Sequence, residues 1–349
     1  MDVETARGLP KVLLHDHLDG GLRPATILEL ADEVGYDGLP TTDLEALEAW
    51  FFQGRSGSLE RYLEAFAHTV AVMQTPEALH RVAYEAGIDL HADGVVYAEV
   101  RFGPSLHTAG GLRREEVIEA VLAGFEDARR ETGIELFTIV TALRHDTDSA
   151  AVVAAAAPFV DAGVVAFDLA GPEAGHPVDD HLPACLLARE LGLGVTLHAG
   201  EGDGPRSIWQ ALAHGGAARI GHGVRIVEDT DFDGREIRRL GSLARRVRDH
   251  RVPLEVCLSS NLHTGVASTP EAHPLGALHR AGFVVTLNTD NRLMSGVTLS
   301  EEVTLAVETF GLDEADLGAF MVAALEAGFG PWPVRRRLRD EVVGPAYAS

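Results

Sequence analysis

The chain has 349 residues, of which 46% are hydrophobic and 23% are charged, and its formal net charge at pH 7 is −24. These values are typical of a globular protein long enough for one α/β barrel. The strong negative charge argues against binding to nucleic acid or to an anionic membrane surface, because both need basic patches.

The two cysteines, Cys185 and Cys257, lie far apart in apolar segments, which favours two buried thiols in a reducing compartment over a disulfide. The N-terminus has no charged-then-apolar leader, and no apolar run is long enough to cross a bilayer. We therefore expect a cytoplasmic protein.

The first predicted strand covers residues 12–18 and carries His15 and His17 near its end. Residues two apart on a strand point to the same face, so both imidazoles should face one point. The sequence Asp19-Gly20-Gly21 ends this strand, and residues 24–34 have helical periodicity with a proline at the start.

Residues 41–92 contain helical patterns without a clear strand, at 43–52, 59–73 and 76–90. This is more helix than one barrel connection needs. We predict an insertion after the first strand that forms a helical lid over the site.

After residue 92 the pattern alternates regularly between strands and helices. Further strands are predicted at 95–101, 136–143, 164–169, 194–198, 218–221, 252–258 and 283–288. Helices are predicted between most of them, at 114–132, 152–162, 183–191, 207–214 and 237–249, and the segment 300–338 is helical. Eight strands separated by helices predict an α/β fold, a single (β/α)₈ TIM barrel domain over residues 1–349 with a helical C-terminus.

Polar residues follow the predicted strands with unusual regularity. In chain order they are His15 and His17, the segment 168–171 beginning with Asp168, His198 and Glu201, His222, the segment 259–261, and Asp290 with Asn291. Barrel enzymes carry their chemistry at these carboxyl ends of the strands. A histidine at any single strand end more often has a structural role, but their convergence on one barrel mouth favours a shared site.

Three histidines and one carboxylate, His15, His17, His198 and Asp290, are a plausible ligand set for one Zn²⁺ ion with an open position for water. Zinc would lower the pKa of that water towards neutrality. We expect Asp290 to take the proton of the water, His222 to orient the water, and Glu201 to protonate the substrate as a general acid.

Five motifs carry a family resemblance. They are His15-Asp-His-Leu-Asp-Gly20, His198-Ala-Gly-Glu201, Arg219-Ile-Gly-His-Gly223, Ser259-Ser-Asn261 and Asn288-Thr-Asp290. Together and in this order they resemble the motif series of adenosine deaminases, over essentially the whole chain from Pro10 to about Ala324. The family fold is a (β/α)₈ barrel with one zinc ion and extra helices after the first strand.

The resemblance implies the same zinc ligands, His15, His17, His198 and Asp290, and makes Glu201 the residue that protonates purine N1. It makes His222 the residue that positions the hydroxide attacking C6. It also implies substrate binding by His17, by Asp19 at the sugar, by the backbone of Gly171 at the purine, and by Asn291. The implied reaction replaces the 6-amino group of a purine nucleoside by oxygen and releases ammonia.

The chain departs from the family pattern at two positions. Asn291 stands where better-known members have an aspartate that bonds purine N7; an amide can donate that bond without being protonated. Leu258 follows Cys257, where the family commonly has proline. Neither change alters the expected reaction class, but both leave the substrate open.

Several alternatives stay open. The first is the same chemistry on adenine or on 6-amino-6-deoxyfutalosine. The carboxylate of 6-amino-6-deoxyfutalosine would favour an arginine at the mouth of the pocket. Four arginines lie near strand ends: Arg23, Arg101, Arg206 and Arg292. A two-metal amidohydrolase would need a carboxylated lysine, and the chain's only lysine, Lys11, precedes the first strand. A non-catalytic nucleoside-binding protein would have lost ligands or the acid, which are all present. The sequence carries no signal for oligomeric state.

Overall fold

The computed structural model describes residues 1–54 and 64–348. Its strands are β1 Lys11–His17, β2 Val95–Phe102, β3 Glu135–Leu143, β4 Val164–Ala170, β5 Gly194–Ala199, β6 Arg219–His222, β7 Thr230–Phe232, β8 Ile237–Leu240, β9 Leu254–Val256 and β10 Val285–Leu287. All but β7 and β8 belong to one parallel sheet of eight strands, in the order β1-β2-β3-β4-β5-β6-β9-β10. The predicted (β/α)₈ barrel is confirmed.

The barrel closes between β10 and β1. His17 N donates to Asp290 O (2.7 Å) and Asp290 N donates to His15 O (2.9 Å). The side-chain oxygen of Asn288 accepts from the backbone N–H groups of Leu14 and His15. Because these bonds join the two strands at their carboxyl ends, the residues that follow β10 lie directly beside the histidines of β1.

Helices surround the barrel, and several pack directly on its strands, among them Arg114–Thr132 and Ser149–Ala156 on β3 and Glu314–Ala327 on β1 and β10. The α-helices are Val3–Gly8, Pro24–Val34, Leu44–Phe51, Phe66–Val72, Pro76–Ala92, Arg114–Thr132, Ser149–Ala156, Leu182–Glu190, Pro205–Gln210, Ser242–Asp249, Leu258–His263, Leu275–Arg280, Arg292–Ser295, Leu299–Phe310, Glu314–Ala327, Trp332–Arg337 and Gly344–Ala346. The helical C-terminus is as predicted. Among the described residues, no helix has the length and apolar character needed to span a membrane.

Between β1 and β2, the helices Leu44–Phe51, Phe66–Val72 and Pro76–Ala92 follow the helix Pro24–Val34. The helix Pro76–Ala92 packs along Arg114–Thr132. Of the helical pattern predicted at 59–73, residues 59–63 lie outside the described part of the chain.

Two predicted elements were wrong in part. Residues 237–240 were predicted as the start of a helix but form β8, which pairs antiparallel with β7; the helix begins only at Ser242, after Gly241. The seventh barrel strand was predicted to reach residue 258 but ends at Val256, and a helix starts at Leu258. Both segments are too short for their periodicity to distinguish a strand from a helix.

The barrel interior is not purely apolar. Arg101, Arg219 and Glu255 are buried there, and both arginines donate to the carboxylate of Glu255 (2.7 and 2.5 Å). Buried charges need partners of this kind, since an unpaired charge in a low-dielectric interior is very costly. Both cysteines are buried free thiols, as expected.

Candidate active site

The four predicted ligand residues converge at the carboxyl end of the barrel. His17 Nε2 lies 3.2 Å from His198 Nε2 and 3.4 Å from Asp290 Oδ1. His15 Nε2 lies 3.2 Å from Asp290 Oδ1. Ligand atoms bound tetrahedrally to zinc at about 2.1 Å are separated by about 3.4 Å, so this spacing matches the edges of such a site.

Two of the imidazoles are held by buried carboxylates. His15 Nδ1 lies 2.9 Å from Glu255 Oε2, and His198 Nδ1 lies 3.0 Å from Asp168 Oδ1. When each Nδ1 donates its proton to the carboxylate, each Nε2 presents a lone pair to the cluster, the arrangement usual for metal-binding histidines. His15 Nε2 is buried without a hydrogen-bond partner. The donor set therefore fits a divalent metal ion.

The charge states also suit a cation. Burial, aided by the charge of Arg101, lowers the pKa of His15 to about 4, so its imidazole is neutral near pH 7. Burial alone would raise the pKa of Asp290, but its contact with His15, 3.2 Å away, outweighs burial and holds that pKa well below its usual range. Neutral imidazole and ionised carboxylate are the forms that bind metals.

His222, at the end of β6, is part of the same cluster. One ligand atom each of His15, His198, His222 and Asp290 can be chosen so that all lie within 4.8 Å of one another. His222 and Asp290 also have positive φ angles, 59° and 62°. Such angles are strained for residues other than glycine and often occur at functional sites.

Glu201 lies beside His222, with 3.4 Å between Glu201 Oε2 and His222 Nε2. Burial raises the pKa of Glu201, although the charge of His222 opposes the shift. A buried carboxyl group that keeps its proton can serve as a general acid. The loop that carries it is held by Glu173, whose carboxylate accepts from the backbone N–H groups of Gly200, Glu201 and Gly202.

His198, Glu201, His222 and Asp290 line a cavity of about 290 Å³. The predicted substrate residues His17, Asp19, Gly171 and Asn291 all line it. Burial raises the pKa of Asp19 to about 7. The positive φ of Gly171, 87°, suits a glycine, and this backbone faces the cavity without a side chain in the way.

The remaining wall is mostly apolar and includes Phe66 and Val70 from the helix Phe66–Val72. Among the described residues, no lysine or arginine lines the cavity. Arg23 pairs with Asp89, Arg292 pairs with Asp16, and Arg206 is exposed. The fourth arginine considered from the sequence, Arg101, lies in the barrel interior.

The family model described as adenosine deaminase matches residues 10–345. The chain belongs to the adenosine deaminase family. An adenosine deaminase of Mycobacterium leprae (strain TN) is 52% identical over 354 residues, covering 100% of this chain and 98% of the relative. The chain is an aminohydrolase of the adenosine deaminase type.

Two solved structures have the same fold as this chain. The adenine deaminase of Arthrobacter aurescens matches with a TM-score of 0.86 and 26% identity, over 96% of this chain and 98% of that one. An Arabidopsis ADAL protein complexed with IMP matches with a TM-score of 0.84 and 28% identity, over 99% of both chains.

Sequence reasoning missed the residues that support the site. The helix Leu258–His263 directs Ser260 to Asp290 (2.5 Å) and Asn261 to both Glu201 (3.3 Å) and His222 (3.1 Å). The Ser259-Ser-Asn261 motif was the signal in the sequence that could have identified these residues. The prediction ended the strand at residue 258 and gave the side chains after it no partners. Asp168 was noted at its strand end, also without a role.

Proposed function

We propose that this protein is a zinc-dependent adenosine deaminase that converts adenosine and 2′-deoxyadenosine to inosine and 2′-deoxyinosine, releasing ammonia. The observation that carries the proposal is the cluster of His15, His17, His198 and Asp290 beside the buried acid Glu201. The unpartnered Nε2 of His15 supports a cation at the cluster. The M. leprae relative named adenosine deaminase supports the reaction.

The three imidazoles and Asp290 would hold a zinc ion, which would supply Lewis-acid activation of a water molecule. Asp290, held by Ser260, would accept a proton from the attacking water as the water oxygen adds to purine C6. Glu201 gives its proton to N1, and His222 holds the attacking oxygen. Asp290 then passes its proton to the 6-amino group, which leaves as ammonia, while the C6 hydroxyl returns a proton to Glu201 and becomes the 6-oxo group.

The cavity supports a nucleoside as the substrate. Asp19 Oδ1 is a buried oxygen without a hydrogen-bond partner, and we assign it to the sugar. Bare adenine would leave this group unsatisfied, at a cost of about 1–3 kcal/mol. The adenine deaminase of A. aurescens shares the fold, and adenine is therefore included in the experiment below.

The surroundings of the four arginines disfavour substrates with an anionic 5′ extension. Arg23 and Arg292 are paired with carboxylates, and Arg206 is exposed. The described wall contains no lysine or arginine that could bind the carboxylate of 6-amino-6-deoxyfutalosine or a nucleotide phosphate, and an ionised Asp19 in this wall would repel either group.

Asn291 is assigned to purine N7. A Cβ on Gly20 would lie 2.2 Å from Asn291 Oδ1, so glycine at position 20 leaves room for this amide. The amide nitrogen can donate to N7 without a proton uptake step, in contrast to the aspartate of better-known members.

We further propose one domain over residues 1–349, with the helical insertion at about 41–92 acting as a lid. Phe66, Ala67 and Val70 in the cavity wall support this role. The two buried free thiols fit the reducing cytoplasm as the compartment.

A two-metal mechanism is not supported. Lys11 begins β1, and its Nζ donates to Ala6 O (2.6 Å) and Leu9 O (2.8 Å). It lies at the opposite end of the strand from His17, about 20 Å away along the strand. A non-catalytic role is equally unsupported, because the ligand set and Glu201 are assembled.

The experiment is a comparison of kcat/KM for adenosine, 2′-deoxyadenosine, adenine, AMP and 6-amino-6-deoxyfutalosine with the zinc-loaded protein, followed by the absorbance change on loss of the 6-amino group. We expect the first two to be the best substrates. A higher kcat/KM on adenine or on an extended substrate would replace the proposed substrate but retain the reaction class.

A further inference from the structure

A chain of four hydrogen-bonded groups leads from the backbone of Leu275 to His222, the histidine beside Glu201. It begins at the backbone N–H of Leu275, which donates to His273 Nδ1 (3.1 Å). His273 Nε2 lies 3.2 Å from Asn261 Oδ1, and Asn261 Nδ2 lies 3.1 Å from His222 Nδ1. His273, Asn261 and His222 are all buried, so water does not compete for these bonds.

The direction of each bond follows from the first donor. A backbone N–H can only donate, so His273 Nδ1 must accept. Burial lowers the pKa of His273 to about 3, and its ring is therefore neutral. A neutral imidazole that accepts at Nδ1 carries its proton on Nε2, and that proton goes to Asn261 Oδ1.

The orientation of Asn261 is then determined. With its oxygen committed to His273, its NH₂ group faces Glu201 Oε1 (3.3 Å) and His222 Nδ1 (3.1 Å). An NH₂ group has two protons, one for each neighbour. His222 Nδ1 must accept, which leaves the proton of the neutral ring on Nε2, the atom 3.4 Å from Glu201 Oε2.

We propose that Asn261 is a positioning residue that, through its bond from His273, fixes Glu201 and holds His222 as the tautomer protonated on Nε2. This inference rests on the catalytic roles proposed above for Glu201 and His222. It makes His222 a hydrogen-bond donor to the attacking oxygen and leaves Asp290 as the base that takes the proton of the water.

Glu201 is oriented by the same arrangement. Its Oε1 accepts from Asn261 and from Thr264 Oγ1 (2.9 Å). Because two donors occupy Oε1, the acidic proton belongs on Oε2, the oxygen beside His222. Asn261, together with Thr264 at Glu201, thus specifies which atom of Glu201 and which atom of His222 carries the proton.

The direct test is the tautomer of His222 in the zinc-loaded wild-type protein, measured by ¹⁵N NMR after selective labelling of histidine. Signals absent from a His222→Gln sample assign the ring. We expect a protonated Nε2 and an unprotonated Nδ1. A proton on Nδ1 would overturn the inference, whether or not the protein deaminates adenosine, so its failure is distinct from that of the proposed function.

Kinetics of variants provide the second test. Asn261→Asp replaces both donors by acceptors, and we expect kcat to fall by about 10²-fold or more while KM changes less. His273→Leu removes the donor that orients Asn261, with an expected loss in kcat of about 10- to 100-fold. His273→Gln restores an N–H donor and should recover most of that loss.

His279→Leu is the matched control, since His279 lies on the helix Leu275–Arg280 and pairs with Asp316 away from the site. Its kcat should equal that of the wild type. Zinc content and the thermal midpoint are measured for every variant. The inference would be contradicted if folded, zinc-loaded Asn261→Asp had the kcat of the wild type. It would also be contradicted if His273→Leu and His273→Gln lost kcat equally.

Discussion

At the level of single residues, the site contains buried polar atoms without a hydrogen-bond partner. They include His15 Nε2 and Asp19 Oδ1. Each such atom costs about 1–3 kcal/mol in a folded protein. Their presence at the site is understandable if a metal ion satisfies the first and a polar substrate satisfies the second.

Replacement of Glu201 by glutamine tests the acid. The amide keeps the shape but has no acidic proton, so we expect kcat to fall by about 10²- to 10⁴-fold while zinc remains bound. Glu228→Gln, a surface change at a residue paired with Arg225, should retain activity. Steady-state kinetics with metal analysis gives the answer; unchanged turnover in Glu201→Gln would remove this residue from the mechanism.

Glu302 is expected to make the stability of the fold depend on pH. Burial raises its pKa to about 7, although the bonds from Ser259 oppose the shift. The folded state therefore binds a proton more tightly than the unfolded state, and stability is lost as the pH rises from about 4 through about 7.

Glu302→Gln removes this loss. Between pH 5 and pH 8 the free energy of unfolding of the variant should rise relative to wild type by an amount on the order of 2 kcal/mol. Urea unfolding at several pH values measures it, with the exposed Glu119→Gln as control. A difference that does not depend on pH would show that Glu302 is ionised in both states.

At the level of elements, the helix Leu258–His263 was not predicted from the sequence, which placed the end of the strand at residue 258 and gave no secondary structure to the residues after it. As a helix, it directs Ser260 and Asn261 to Asp290 and to the Glu201–His222 pair. Glu302 accepts from the Ser259 N–H at its start, which satisfies a donor that a helix leaves free.

The helix Phe66–Val72 provides the test of the lid. Phe66 forms part of the apolar wall of the cavity, and Phe66→Ala should raise KM for adenosine about tenfold through lost apolar contact, with a smaller change in kcat. The control is Trp50→Ala, which alters an exposed aromatic residue of the insertion outside the wall. Equal KM values for the wild type and Phe66→Ala would contradict the lid.

At the level of the whole molecule, the metal cluster is continuous with the charged interior of the barrel. Glu255 bonds both His15 and Arg101, and Arg101 reaches Asp168, which holds His198. The groups that orient the ligands are thereby part of the core. Metal binding and folding stability should be coupled.

Removal of the metal by a chelator should abolish activity and lower the thermal midpoint, because a cation no longer balances the buried Asp290. Addition of zinc should restore both at one ion per chain. Calorimetry with metal titration measures this coupling, and a manganese or calcium arm controls for non-specific ions. Restoration only at two ions per chain would favour the two-metal alternative.

Much of this protein could be predicted from its sequence. The eight barrel strands follow from apolar runs separated by helical periodicity. The proposed ligand set follows from polar residues at strand ends, since parallel strands bring those ends to one rim. Periodicity could not distinguish strand from helix at 237–240 or after Val256, because those runs are too short.

The sequence by itself determined the barrel and the family, and it predicted the site residues His15, His17, His198, Glu201 and Asp290, because these inferences depend on residue type and order. Only the tertiary structure decided which buried groups orient them. The bonds from Asn261 to His222 and from His15 to Glu255 join residues 39 and 240 positions apart. Such pairings depend on the placement of side chains in the folded core, which no local pattern in the chain specifies.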